Sequence, residues 1–132
     1  MRLATILAAV AWVVSVGTVA APQEPERTKP WAAPAAADAR QNPLANRADV
    51  VPGGKKVFAQ RCGQCHGHDG SGGERGPNLM TRRVQDQTDG AIFWKITSGN
   101  TRSGMPTFSL LPELQRWQLV NYLRSDAQDL PK

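Results

Sequence analysis

Apolar residues near the carboxyl end of the sequence recur at near-helical spacing. The stripe consists of Leu114, Trp117, Val120 and Leu123. Steps of three or four residues place side chains on one face of an α-helix, so this face is expected to be buried. Pro112 precedes the stripe, and proline is tolerated in the first turn of a helix because the missing N–H group costs no hydrogen bond there. The pattern predicts a terminal helix that starts at Pro112.

Two earlier segments predict helices as well. The first covers residues 54–64 and places its initial glycine on the same side as Phe58 and Arg61. The second opens at Asp89, a candidate N-cap, and stops before Gly99. Its apolar positions are Ile92, Phe93 and Ile96. Three helices, with no strand pattern beside the first of them, predict an all-α fold.

The first twenty residues form a separate segment. Residues 1–20 begin with Arg2, are apolar from position 3 to position 19, and end in small side chains. A basic, then an apolar, then a small-residue part is typical of an export signal, and we expect cleavage after Ala20. The alternative is an uncleaved membrane anchor over residues 3–19, which is at the short limit for a spanning helix.

Residues 21–50 have a different composition. They contain five prolines and several runs of alanine, with no apolar period that could be buried. Such a segment is predicted to be a poorly ordered linker. Trp31 is its only large aromatic residue and is expected to be exposed. The folded domain is predicted to cover residues 51–130.

The most informative motif contains Cys62 and Cys65, with His66 directly after the second cysteine. This C-x-x-C-H pattern is typical of covalent haem attachment, in which each thiol adds to one vinyl group and the imidazole binds the iron. A thioredoxin-type redox pair would need a βαβ setting. A zinc site would need histidines on a separate element, but His66 and His68 both lie beside Cys65. A disulfide would leave His66 without a role, so haem is the favoured interpretation.

A methionine sulfur can supply the second axial ligand of a haem iron. Met105 lies between a glycine and a proline, in a loop between two predicted helices, where the backbone can approach a ligand closely. Met80 is expected to be an ordinary packed side chain. His68 is too close to His66 along the chain to reach the opposite face of the haem, and is expected at the surface. Met105 is the predicted sixth ligand.

Several landmarks stand in the order found in class I cytochromes c. They are Gly54-Lys55-Lys56-Val57-Phe58, Cys62 to His66, Gly76-Pro77-Asn78-Leu79, Met105-Pro106 and Val120-Asn121-Tyr122-Leu123. Over residues 52–127 the chain resembles this family, in particular its bacterial soluble or tethered monohaem members. The resemblance implies a small cytochrome c fold, with three to five helices packed around one covalently bound haem. It also implies that the terminal helices cross where Gly54 and Phe58 meet Tyr122.

The resemblance assigns roles to the residues of the motifs. Cys62 and Cys65 would carry the single haem c, and its iron would lie between His66 and Met105. The carbonyl of Pro77 would accept a hydrogen bond from Nδ1 of His66. Such a bond fixes the ring and tunes the metal.

An iron with both axial positions filled leaves no place for a substrate, so the expected function is one-electron transfer between exported or membrane-bound redox partners. An enzyme, such as a peroxidase, would need a vacant position and is not expected. The alternatives are a haem subunit or domain of a dehydrogenase or oxidase complex, and a haem-based sensor that releases Met105 to bind a gas. Bacterial family members receive their haem outside the cytoplasm, so the expected location is the periplasm. An inner-membrane-anchored form that faces the periplasm is the alternative.

The chain is basic, with 16 lysines and arginines against 11 acidic residues. Export and the lack of a clustered basic stripe argue against nucleic acid as a partner. Eight cationic side chains are expected to surround the exposed haem edge and to attract acidic surfaces of redox proteins, while a mixed solvated surface is the alternative. They are Lys55, Lys56, Arg61, Arg75, Arg82, Arg83, Lys95 and Arg102. Docking is expected to be weak and transient, and the protein to be a monomer.

Overall fold

A computed structural model describes residues 31–127, and every regular element in that part of the chain is helical. The three long helices are α2 Val51–Arg61, α5 Asp89–Ser98 and α6 Glu113–Asp126. The three single-turn helices are α1 Ala35–Asp38, α3 Gly63–His66 and α4 Arg82–Gln85. Two 3₁₀ turns cover Ala48–Val50 and Thr101–Ser103. The all-α prediction is confirmed. The described residues contain six α-helices, where three to five were expected, because the short connections coil into extra turns of 4 residues each.

The predictions for residues 1–30, a signal peptide or anchor and the start of a linker, lie outside the described residues. The same is true of the last part of the predicted domain, residues 128–130. Within residues 31–127, none of the helices combines the length and the apolar character that a membrane span requires.

The crossing of α2 and α6 forms the centre of the fold. Gly54 lies against the backbone of α6, where an added Cβ atom would stand 2.0 Å from the carbonyl oxygen of Gln118. One turn later, the Phe58 and Tyr122 rings pack at 5.1 Å between centroids. The implied crossing of these three residues is confirmed. α2 begins at Val51, three residues earlier than predicted, because Pro52 fits its first turn.

Replacing Gly54 by alanine is expected to destabilise the protein by about 3 kcal/mol or more, since overpacking at a rigid backbone contact cannot be relieved by a side-chain rotation. Gly53→Ala is the matched control, because its Cβ atom would meet only the mobile end of the Gln118 side chain, at 3.2 Å. Urea unfolding of the two haem-loaded variants measures the difference. Equal urea midpoints for Gly54→Ala and Gly53→Ala would contradict the close contact between Gly54 and the backbone of α6.

The terminal stripe is buried except at its first position. Trp117, Val120 and Leu123 are at most 5% exposed, but Leu114 is 59% exposed. The prediction of a buried Leu114 is therefore wrong. α6 begins at Glu113, and its first turn extends past the core, which covers the helix only from Trp117 onward.

The boundaries of α5 show how local chemistry ends a helix. Gly99 follows its last residue with a φ of 65°, a left-handed backbone angle that favours glycine, so the predicted stop is confirmed. The predicted N-cap is wrong by one residue. Thr88 has an extended backbone, and its side chain accepts the N–H of Ala91 at 3.0 Å. Asp89 is the first helical residue instead.

The structure departs from the predicted linker between residues 35 and 50. Asn42 donates to Asp89 at 2.8 Å and to Asn121 at 2.7 Å, and Leu44 packs against the core. These contacts hold the segment in place mainly through polar side chains, so a repeating pattern of apolar residues is not required. Trp31 is 38% exposed, as predicted. The ammonium group of Lys95 lies 4.9 Å from the centroid of its ring.

Tyr122, the single tyrosine of the chain, is expected to make stability fall at high pH. Burial, and then its hydrogen bond to Asp126, raises the pKa of Tyr122 to about 12. An unfolded tyrosine loses its proton near pH ~10, so the contribution of Tyr122 to stability is constant below that value and decreases as the pH rises toward 12. Thermal unfolding of the haem-loaded protein should show this decrease between those values. Tyr122→Phe is the control, and a decrease of the same size in that variant would contradict the assignment.

Candidate haem-binding site

One helical turn carries the three residues of the attachment motif. Cys62 connects α2 to α3, and its carbonyl oxygen accepts the N–H groups of Cys65 and His66, both at 3.0 Å. Residues three apart in a helical turn lie on one face, so this turn gives Cys62 and Cys65 a common side. Both are free cysteines and are half-buried. The backbone therefore holds two thiols beside one imidazole, as the motif predicts.

Burial, and then the neighbouring Cys65, raises the pKa of Cys62 to about 12. The thiolate is the reactive form of cysteine, and it is scarce at neutral pH when the pKa is so high. Burial is therefore the main influence of the fold on the Cys62 thiol.

His66 is buried, with 9% of its surface exposed, and one ring nitrogen is committed to the protein. Nδ1 lies 2.8 Å from the carbonyl oxygen of Pro77. A carbonyl oxygen can only accept, so Nδ1 carries the proton and Nε2 keeps its lone pair. This is the arrangement in which a histidine binds a metal, with the second nitrogen fixed by a carbonyl group.

Gly76 provides the space for this arrangement. A Cβ atom at this position would lie 3.0 Å from Nδ1 and 3.1 Å from Cε1 of His66. The loop is closed by bonds from the Gly72 N–H to the His66 carbonyl at 2.8 Å, and from the Gly73 N–H to the Gly76 carbonyl at 3.0 Å. A side chain at position 76 would therefore crowd the ring, and glycine lets the loop bring Pro77 to Nδ1 without that contact.

Met105 lies on a separate loop, after the 3₁₀ turn that follows α5. Its N–H donates to the Asn100 carbonyl at 3.0 Å, and the Asn100 N–H donates back to the Met105 carbonyl at 2.9 Å. Gly104, just before it, has a left-handed φ of 84° that closes the turn. The loop thus has a defined backbone, with the half-buried Met105 side chain at its base.

The same loop is also tied to the end of α5. The N–H of Phe108 donates to the Ile96 carbonyl at 3.2 Å, and the hydroxyl of Thr107 donates to the Thr97 carbonyl at 2.6 Å. The position of Met105 therefore depends on the carboxyl end of α5. Asn100 and Thr107 belong to no recognisable motif, so neither residue could be predicted as part of the site.

The two residues considered and set aside as ligands occupy other places. Met80 packs against the hydrophobic core, and a Cβ atom on Gly70 would lie 2.4 Å from its terminal methyl group. His68 is exposed in the loop after α3. The interpretations of Met80 as a packing residue and of His68 as a surface residue are confirmed.

The residues around His66 fit a covalently attached haem. Two free thiols lie in the turn that precedes His66. Nε2 of the ring is available to bind a metal, while Nδ1 is bonded to the Pro77 carbonyl beside Gly76. Soft sulfur ligands and imidazole both suit haem iron. The fold and this arrangement define the class of protein, which is a class I cytochrome c domain.

A family model described as cytochrome C oxidase, cbb3-type, subunit III matches residues 49–123. The match covers more than half of the 132-residue chain, so the chain belongs to this family. A cytochrome c domain carries haem and transfers electrons. A search among curated proteins found no match, and neither did a search among solved structures.

Proposed function

We propose that the protein is a one-electron carrier with a single haem c attached through Cys62 and Cys65. His66 and Met105 are the axial ligands of its iron, which supplies a one-electron couple when bound. The observation that carries the proposal is the 2.8 Å contact between Nδ1 of His66 and the Pro77 carbonyl. It leaves Nε2 as a metal ligand at a buried position beside two free thiols.

Each residue of the chain has a limited task in this proposal. Pro77 and Gly76 keep the imidazole in one orientation. The Met105 sulfur would be the second protein ligand of the iron and would leave no coordination position for oxygen, peroxide or other small ligands. With both iron ligands supplied by the chain, no coordination position is left for a substrate, so the proposed function is electron transfer and no enzymatic reaction is proposed.

Two measurements on the purified protein test the proposal. Mass analysis of the denatured chain is expected to show one haem still attached, because thioether bonds survive unfolding. The ferrous form is expected to bind carbon monoxide only slowly. Loss of the haem on denaturation would overturn the attachment, and rapid carbon monoxide binding would overturn the role of Met105.

A second candidate function is that of a haem subunit or domain of an oxidase complex. The description of the matching family, subunit III of a cbb3-type oxidase, favours it. The two functions differ in how the protein is held in the cell. Gentle solubilisation of native membranes followed by size separation is expected to release the carrier on its own, whereas a subunit would migrate with the complex.

We further propose that the protein acts in the periplasm after removal of residues 1–20, or is held at the inner membrane if they are kept. The apolar run from position 3 to position 19 supports export. Amino-terminal sequencing of the protein from its native host separates the two forms. A mature chain that begins at Ala21 supports cleavage, and a chain that retains residue 2 supports an anchor.

Partner docking is expected to depend on salt. Lys55, Lys56 and Arg61 are exposed on α2, immediately before Cys62, and can attract an acidic redox protein. Lys95 contributes less than expected, because it is half-buried and donates to Gln87 at 2.6 Å.

Raising the ionic strength from about 10 mM to about 150 mM shortens the Debye length from ~30 Å to ~8 Å and should slow reduction by the partner on the order of tenfold. Stopped-flow mixing with the partner measures this rate. Arg61→Gln should lower the rate at low salt only. A reduction rate that does not change with ionic strength would indicate a surface of mixed charge that does not attract the partner electrostatically.

A further inference from the structure

Residues 38–44 form a segment, here called the strap, that lies across the amino-terminal end of α5 and reaches α6. The hydroxyl oxygen of Thr88 lies 2.8 Å from the backbone carbonyl oxygen of Asp38 and 2.8 Å from its carboxylate, and its single proton is shared between these two acceptors. Asn42 donates to Asp89 on α5 and to Asn121 on α6. Asn121, which is 8% exposed, donates in turn to the Leu44 carbonyl at 2.6 Å. The strap thus joins two helices that are distant from it in sequence.

The fit between the strap and α5 depends on Gly90. A Cβ atom on Gly90 would lie 2.2 Å from the carbonyl oxygen of Ala37, 2.9 Å from that of Asp38 and 2.7 Å from that of Arg40. Three backbone carbonyls therefore converge on the first turn of α5. Any side chain at position 90 would have to push the strap away.

Arg40 covers the contact between α5 and α6. The rings of Phe93 and Trp117 stack at 4.0 Å between centroids, with 21° between their planes. The Arg40 guanidinium lies 4.6 Å from the Phe93 centroid and 5.4 Å from that of Trp117, and it also pairs with Glu113. Cation–π contacts of this kind stabilise the ring pair that they cover.

α5 connects the strap to Met105. The strap holds the first turn of the helix, while Asn100, Ile96 and Thr97 hold the Met105 loop at its other end. The helix has 10 residues, so the two ends are separated by about 15 Å of hydrogen-bonded backbone. A shift of α5 at the strap would therefore move the base of the ligand loop.

We propose that the strap positions Met105: while it is docked on α5 and α6, it restrains α5 and slows the dissociation of the methionine sulfur from the iron. The inference rests on the proposed role of Met105 as an axial ligand. The strap residues are positioning residues, since they act through α5 and touch neither the haem nor its iron.

Gly90→Ala in the full-length haem-loaded protein tests the contact. Alanine is favoured over glycine inside a helix by about 1 kcal/mol, so the variant would gain stability if nothing lay against position 90. A docked strap should instead be expelled, and limited trypsin digestion should cut after Arg40 at least ~10-fold faster than in the unaltered protein. Gly53→Ala, in the first turn of α2, is the matched control and should leave that bond protected. Unchanged protection in Gly90→Ala would overturn the docking.

The second measurement is the rate at which carbon monoxide replaces Met105 in the ferrous protein. Gly90→Ala and Asn42→Ala should each raise this rate at least ~10-fold. Asn42→Ala leaves the helix sequence unaltered and removes three side-chain hydrogen bonds, two that Asn42 donates to Asp89 and Asn121 and one that it accepts from the Leu44 N–H. Gly54→Ala, which weakens the fold at the crossing of α2 and α6 and touches no strap residue, should not. An equal increase in Gly54→Ala would reduce the effect to a general loss of stability and overturn the inference.

The outcomes separate the two proposals. If the unaltered protein binds carbon monoxide at once, Met105 is not a firm ligand, and the proposed function fails together with the inference. If the unaltered protein binds carbon monoxide slowly and both strap variants bind it equally slowly, only the inference fails. Slow binding in the unaltered protein and faster binding in both strap variants support both proposals.

Discussion

Replacing Met105 by leucine is expected to open the haem iron to carbon monoxide and to lower the reduction potential by on the order of 100 mV, within the ~0.8 V range that axial ligands control. Leucine has nearly the volume of methionine, so the loop should keep its packing while the iron loses its thioether ligand. Mixing of the ferrous variant with carbon monoxide measures the first effect. A redox titration followed by visible absorption measures the second.

Met80→Leu is the matched control for this substitution. Met80 packs against the core, and its N–H donates to the Asn78 side chain at 2.7 Å, which leucine preserves. The reduction potential and the slow binding of carbon monoxide should therefore be those of the unaltered protein. A low potential in Met80→Leu together with a normal one in Met105→Leu would reverse the assignment of the ligand.

A chain with serine at both Cys62 and Cys65 is expected to be largely unfolded. The family match covers 75 residues, from position 49 to position 123, and a domain of this size buries a thin core unless a cofactor adds apolar mass to it. Ligand binding to the folded state shifts the equilibrium toward that state, so removal of the haem withdraws this contribution. Far-UV circular dichroism should show that more than half of the helical signal is lost.

The single variants Cys62→Ser and Cys65→Ser control for the loss of the thiols themselves. Each keeps one attachment point and His66, so each should retain the haem and most of its helix content. A double variant with native helix content in the absence of haem would contradict the prediction and would show that α2, α5 and α6 form a sufficient core without it.

The parts of the fold that could be predicted from sequence depend on local patterns. The resemblance to class I cytochromes c implied the helix crossing at Gly54 and Phe58, and the structure places Tyr122 against them. The resemblance likewise implied the contact of Pro77 with His66, through a short motif eleven residues downstream. In both cases a few residues at fixed spacing carry the resemblance.

The strap could not be predicted, because its contacts are polar and distant in sequence. Asn42 bonds to residues 47 and 79 positions away, and no apolar period marks the segment. Its proline and alanine content indicated disorder, since composition measures only the apolar surface available for burial. The exposure of Leu114 was missed for a related reason: a helical stripe shows which face is buried but not where the covering elements end.

The absence of a side chain at Gly76 has a consequence for the speed of electron exchange. An imidazole that is pressed against Gly76 and bonded to Pro77 has little freedom to tilt or recede when the charge on the metal changes. Nuclear rearrangement accompanying oxidation should accordingly be small, which lowers the activation barrier of self-exchange. A bulkier residue at position 76 should leave the haem attached and make electron self-exchange slower.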